Sequence, residues 1–278
     1  MVVTMPDGER FEARSGIRVP PPDRQTAFTL LELLAVIAII GILAGLLLTA
    51  LAGAKQKAVQ VQCLNNLKQL GAGMRIYVDD NNGAFPGLGS RHNGFRKEDW
   101  IYWRTNSTIY PPIEQSPVAI GISANGKLFR CPLDDVRERL AARYSDPYGP
   151  YLYSYSFTGY GLSPDNQNIG LGDAANPNYG MSSVITGDPA VPTKYLFTES
   201  RIINPSTKIM LAEERGSTSP KDNPGNDGDF ITDGRWMPQN DLLTIRHGRK
   251  GDVVFADDHV QAVEWQFAND ITNSRPDL

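Results

Sequence analysis

The sequence predicts an α+β protein in which one long N-terminal helix leads into a β-rich globular module. Three observations support this. Residues 28–51 form a long apolar run with a single charge, apolar residues continue beyond it at helical spacing as far as Val78, and short apolar runs separated by Gly, Pro, Asn and Asp follow Gly83. A helix with one apolar stripe and a sheet with one apolar face bury each other, which is the packing expected here. The chain has 278 residues, enough for an anchor plus one module, and its 41% hydrophobic and 21% charged residues match those of folded proteins. A net charge of -4 leaves no basic footprint for a polyanion, which argues against nucleic acid as the partner.

The apolar run reads FTLLELLAVIAIIGILAGLLLTAL. At roughly 24 residues it makes about 36 Å of helix, enough to cross a bilayer core. Its single charge is Glu32, and a carboxylate near hydrocarbon needs compensation. If the chain were cut before Phe28, the new α-amino group would lie one helical turn from Glu32 and the two charges would pair, within one chain or between neighbours. Two plainer readings compete. Ala50-Leu51-Ala52 offers a signal-peptidase site, although the run is long for a signal peptide and contains Glu32. An ordinary single-pass anchor explains the length but neither Phe28 nor Glu32. In each case the bulk of the chain is exported, and the Arg-bearing flank stays in the cytoplasm.

Beyond the membrane, Ala54, Ala58, Val61, Leu64, Leu67, Gly71, Met74 and Val78 form one stripe, with Lys55, Lys57, Gln60, Asn65, Lys68 and Arg75 between them. One helix from Phe28 to about Val78 is therefore expected, with a break at Gly53 as the alternative. Asp79-Asp80-Asn81-Asn82-Gly83 supplies the stop. Gly41 and Gly45 are spaced for close helix approach in a bundle. In the module, strands are expected at 127–131, 153–158, 195–198, 208–212, 252–256 and 260–265, paired antiparallel. Residues 159–193, rich in Gly, Asn, Asp and Pro, are expected to form an exposed loop.

Ala27-Phe28-Thr29-Leu30-Leu31-Glu32 followed by LLAVIAIIGILA resembles the processing site of type IV prepilins and type II secretion pseudopilins. The resemblance implies a pilin-like fold and a leader over 1–27, removed by the prepilin peptidase and N-methyltransferase between Ala27 and Phe28. It further implies a methylated Phe28 and an assembly role for Glu32, with 28–83 as the transmembrane and amphipathic helix and 84–278 as the extracytoplasmic domain. The implied partners are other pilin or pseudopilin subunits, an inner-membrane assembly platform and membrane lipid. The implied location is a single pass of the inner membrane, N-terminus inside and head outside. Ala27 departs from the usual Gly before the cut. The leader departs too: Asp7, Glu9, Glu12 and Asp23 offset Arg10, Arg14, Arg18 and Arg24, whereas family leaders are shorter and more basic, consistent with a start further downstream.

The resemblance extends to Cys63-Leu64-Asn65-Asn66-Leu67-Lys68-Gln69-Leu70-Gly71 with Tyr77, to Cys131-Pro132 with Asp134, and to His247 followed ten residues later by Asp257. That last pair resembles the H-x9-D-G signature that closes one group of pseudopilin-like proteins, with Asp258 in place of Gly. Asp tolerates φ > 0 less well than Gly but better than most residues, so a turn is still expected there. A His247–Asp257 hydrogen bond fixing the terminal hairpin is the expected role of the pair.

The two cysteines, Cys63 and Cys131, fit a disulfide tying helix to sheet or two unlinked buried thiols equally well. Asp222, Asp227, Asp229 and Asp233 offer hard oxygen donors of the kind Ca²⁺ takes, and some pseudopilins bind calcium in a C-terminal loop, but the spacing is not that of an EF-hand. A solvated acidic loop is the plainer reading. A noncatalytic structural subunit is the expected function. The rivals are a tethered binding domain that never polymerises, and an envelope enzyme using His247, Asp257, Asp258 and His259 with Glu213 or Glu214 as metal ligands or acid-base groups. No independent catalytic motif supports the latter.

Overall fold

In a computed structural model, the described residues are 28–91, 94–141, 149–159, 180–185, 194–225, 231–238 and 241–276. The chain divides into two compact units, Met1–Leu51 and Ala52–Leu278. A single helix, α1, covers Leu30–Asp80 without a break at Gly53. Its 51 residues correspond to about 76 Å of rise. The expected stop is built as follows: the Gly83 N–H reaches the Val78 carbonyl at 2.9 Å while Asn82 and Gly83 take φ of 55° and 78°. Left-handed residues after the last turn return the chain and satisfy a carbonyl the helix leaves open.

In the second unit, the short helices are α2 (Pro117–Gly121), α3 (Arg137–Ala141) and α4 (Trp265–Asn269). Strands β1 (Tyr155–Thr158), β4 (Ile209–Glu213), β5 (Arg235–Trp236), β6 (Lys250–Phe255) and β7 (Val260–Glu264) form one sheet in the order β5-β1-β4-β6-β7. Strands β2 (Val184–Ile185) and β3 (Lys194–Tyr195) make a separate antiparallel pair. The β1–β4, β4–β6 and β6–β7 pairs are antiparallel as expected, but β5 adds to β1 in parallel, so the larger sheet is mixed. The architecture is the α+β, pilin-like arrangement the sequence predicts.

Several expectations need correction. Residues 127–131 are not a strand: Gly126–Phe129 is a 3-10 turn, because the Asn125 side chain accepts the Lys127 N–H and turns the chain before Phe129 enters the core. The strand expected at 195–198 starts and stops early, at β3. Of the expected loop 159–193, residues 160–179 and 186–193 lie outside the described residues, and Val184–Ile185 is strand. The helix stripe is buried only from Cys63 onward: Ala54, Ala58 and Val61 stay exposed, while Cys63, Leu67, Leu70, Met74 and Val78 are enclosed.

The sheet is covered on both faces, which its expected single apolar face did not anticipate. Alternation along β6 sends Val254 to the core shared with Leu67, Leu70, Met74 and Phe157, and Val253 and Phe255 to a second core with Ile209, Ala212, Trp236 and Leu243. Helix α1 comes very close to α2. A Cβ on Gly73 would sit 2.7 Å from the Val118 carbonyl oxygen, so the packing depends on glycine there.

Candidate functional site

In the first unit, the start of α1 explains Glu32 locally. The Thr29 N–H and hydroxyl donate to Glu32 Oε2 at 2.9 and 2.8 Å, and the Glu32 N–H donates to Thr29 Oγ1 at 3.2 Å. These reciprocal bonds form a capping box, in which side chains satisfy backbone donors that the first turn leaves open, and the carboxylate lies at the positive end of the helix dipole. The T-x-x-E pattern at Thr29–Glu32 is the sequence signal for this capping box. Phe28 is 74% exposed, and the large apolar side chains from Leu30 to Leu51 are exposed with it. Nothing lies within 4 Å of the Cβ positions of Gly41 or Gly45. Ala27 lies outside the described residues. Among the described residues, α1 is the one helix long and apolar enough to cross a membrane.

In the second unit, a buried ionic cluster gathers around His247. Gly248 and Arg249, at φ of 65° and 71°, make the turn before β6, and the His247 N–H donates to the Lys250 carbonyl at 3.1 Å. The turn sends the imidazole inward. His247 Nε2 lies 3.0 Å from Glu213 Oε2, 3.5 Å from Cys131 Sγ and 3.7 Å from Asp252 Oδ2. Glu213 ends β4, Asp252 lies in β6, Cys131 follows the 3-10 turn and Cys63 projects from α1. The sulfur, carboxylate and imidazole donor atoms of Cys63, Cys131, Glu213 and His247 all lie within 4.8 Å of one another, and all four residues are buried. Both cysteines are free thiols.

Arginines close the cluster. Arg246 lies 3.1 Å from Asp134 Oδ1, 2.9 Å from Asp222 Oδ1 and 3.7 Å from Glu213 Oε1, and Arg139 pairs with Asp134 at 2.6 Å. Burial alone would raise the Asp134 and Glu213 carboxyls, but the Arg246 charge, joined by Arg139 at Asp134 and by His247 at Glu213, holds both below their ordinary values. Burial opposes protonation of His247, yet its bonds to Cys131 and Glu213 and the Asp252 charge push it up to about 10. Asp252 is driven the other way: burial and the Glu213 charge raise it to about 7, although Gln60 and His247 favour its ionised form. Burial pushes the Cys131 thiol up.

The expected His247–Asp257 bond does not form. Asp257 bonds instead to His259 within the β6–β7 turn, because successive turn residues meet each other before they can reach a side chain buried behind the sheet. Asp258 takes φ of 68°, the left-handed turn expected of it. Its carboxylate accepts from Arg75 Nε at 3.0 Å and its carbonyl from Lys68 Nζ at 2.8 Å, fixing the hairpin tip to α1. The enzyme candidates are thus split among separate places. Glu214 is buried against the Ser156 hydroxyl, and burial raises its carboxyl well above the ordinary range.

Of the four acidic loop residues, the two described ones are already engaged by protein donors. Asp222 is occupied by the N–H groups of Gly216 and Ser217 and by Thr244 and Arg246. Asp233 accepts from the Arg91 and Arg235 N–H groups at 2.9 and 3.0 Å. Asp227 and Asp229 lie outside the described residues.

Comparison with known proteins bears on the N-terminal region. Residues 22–48 match the family model described as the prokaryotic N-terminal methylation motif. A stretch of 59 residues is 44% identical to the type II secretion system core protein G of Aeromonas hydrophila, covering 21% of this chain and 41% of that protein. The protein of the same description from Pectobacterium carotovorum subsp. carotovorum is 41% identical over 59 residues, 21% of this chain and 38% of its own length. The matched region therefore spans about two fifths of these curated relatives. No solved structure matches the chain. The motif and the single apolar helix fit a membrane-anchored, single-pass protein.

Proposed function

We propose that the chain is a noncatalytic structural subunit of a type IV pilus-like or type II secretion-like apparatus. The prepilin peptidase removes residues 1–27 and methylates Phe28. The helix over 28–83 then anchors the subunit and carries assembly, and 84–278 forms the extracytoplasmic head. The observation that carries this reading is the methylation-motif match over residues 22–48, which spans the cut and runs directly into the exposed apolar start of α1. An exposed helix of this composition is covered in lipid first and by neighbouring subunits once it leaves the bilayer, so van der Waals packing replaces lipid contacts at little cost. The Arg-bearing flank holds the N-terminus in the cytoplasm and directs the head outward.

Glu32 has two partners available in sequence. In the uncut chain its carboxylate caps α1 through Thr29, and after cleavage the Phe28 amine, in the same chain or a neighbour, adds a charge that offsets it. Partners are other pilin or pseudopilin subunits, the assembly platform and membrane lipid. Copurification tests the assignment: tagged full-length chain should recover other pilin-class subunits from the membrane, and Glu32→Ala should lose them. A chain recovered alone, with or without Glu32, would point to a tethered domain that does not polymerise.

A further inference from the structure

We infer that Cys63, Cys131, Glu213 and His247 form a closed structural zinc site that ties α1 to the sheet inside the head. The four donors come from four separate parts of the fold: the helix, the segment after the 3-10 turn, the end of β4 and the turn before β6. Two sulfurs, one imidazole and one carboxylate suit a borderline-soft, tetrahedral ion, and an all-protein set of four leaves no position open for water or substrate. That is the pattern of a structural centre.

The sulfur–nitrogen distance fits this geometry, and the nitrogen–oxygen distance comes near it. Zinc bonds of ordinary length at tetrahedral angles place sulfur and nitrogen about 3.6 Å apart and nitrogen and oxygen about 3.4 Å apart. Cys131 Sγ lies 3.5 Å from His247 Nε2, and the nearest Glu213 oxygen lies 3.0 Å from the same nitrogen. The four donor atoms already lie within 4.8 Å of one another, so small rotations of side chains complete the tetrahedron. A second observation points to the same place. Asp252 is fully buried beside the ligands, and its carboxylate makes no hydrogen bond of ordinary geometry, only a long 3.7 Å contact to His247 Nε2 and support from the Gln60 side chain, so added positive charge at the four donors would stabilise it.

A depression of about 510 Å³, lined by Gln60, Leu133, Arg246, His247 and Gly248, lies beside the cluster, although the His247 side chain itself is enclosed. Zinc would do here what a Cys63–Cys131 disulfide would otherwise do, linking residues far apart in sequence, and it would hold both sulfurs as thiolates that resist oxidation. The inference is independent of processing at Ala27 and of assembly.

The test uses the full chain in detergent, purified without added metal. Elemental analysis should find about one Zn²⁺ per chain. Both thiols should resist alkylation until a chelator is added, and the intact mass should correspond to two reduced cysteines. Replacement by Co²⁺ should give thiolate-to-cobalt charge-transfer absorption and tetrahedral ligand-field bands. Cys63→Ser and His247→Gln should each lower zinc affinity by more than about a hundredfold, beyond the roughly 10–100-fold lost on removing a supporting group outside the ligand set. Where a ligand variant does not fold, the metal content and thiol state of the unaltered chain decide the matter. Metal-free protein with freely alkylated thiols, or a mass lower by two hydrogens from a Cys63–Cys131 disulfide, overturns the inference.

Discussion

Replacing Gly73 by alanine should destabilise the head, although alanine is the better helix former. In an open helix the change gains about 1 kcal/mol. At Gly73 the new Cβ would lie 2.7 Å from the Val118 carbonyl oxygen and 3.0 Å from Val118 Cγ1 and Ile122 Cγ2. The carbonyl belongs to α2 backbone and cannot rotate away, so α1 and α2 must separate. Overpacking of this kind costs about 1–3 kcal/mol, and the upper part of that range applies where the obstacle is backbone. The net loss is then about 2 kcal/mol, or about 4–8 °C in Tm for a unit of this size. Gly53→Ala is the matched control, because nothing lies within 4 Å of its Cβ, and it should leave Tm unchanged or raise it. Thermal unfolding of both variants in detergent, followed by near-ultraviolet circular dichroism, reads the difference. A Gly73→Ala protein as stable as Gly53→Ala would refute the close approach of α1 and α2.

Other outcomes follow from the same geometry. Burial raises the Asp99 carboxyl to about 7 despite the Arg96 N–H and the Arg104 charge, so folding favours its proton: the contribution is complete below about pH 4 and lost as pH rises through 7. Asp99→Asn should therefore flatten the pH dependence of stability, removing a decline of about 4 kcal/mol between roughly pH 4 and 8, and an unchanged profile would contradict the burial. Asp134→Ala strands Arg139 and Arg246 without their shared carboxylate, both arginine side chains being nearly inaccessible, and denaturant unfolding should show a loss of about 3–5 kcal/mol. Thr29→Ala removes only the cap and should cost about 1 kcal/mol of local helix stability while subunits still copurify, whereas Glu32→Ala should abolish copurification. Equal loss in both variants would assign Glu32 to capping alone.

The helix was the most legible part of the chain. Its stop after Asp80 follows from the Asp79–Gly83 run and the buried positions Leu67, Gly71, Met74 and Val78 from spacing, which reports local geometry directly, while spacing left a break at Gly53 open. What spacing could not give was where the head begins to cover the stripe, because that depends on strands far away in sequence, and Val61 remains exposed in consequence. Runs of β-branched and aromatic residues located β4, β6 and β7. The two-residue β5 carries no local signal, because its pairing with Phe157 and Thr158 is a tertiary fact. Lys127 to Cys131 looked like a strand by composition, yet one side-chain bond from Asn125 decided otherwise.

The buried cluster shows the same division. His247 stands out in the sequence, but its partner is Glu213 on β4 and not Asp257 ten residues downstream. Cys63 and Cys131 were recognised as a pair, and Glu213 and His247 as potential ligands, without any signal that all four converge. Convergence of groups so far apart in sequence is fixed by sheet order and turn geometry, and a single sequence carries neither. The N-terminal motif is different because its chemistry is local, contained in the residues on either side of one peptide bond.

The mature N-terminus tests the central claim most directly. Mass spectrometry of the full chain recovered from its own membrane should find residue Phe28 first and carrying one N-methyl group. An intact leader, or a chain beginning near Gly53, would contradict the account.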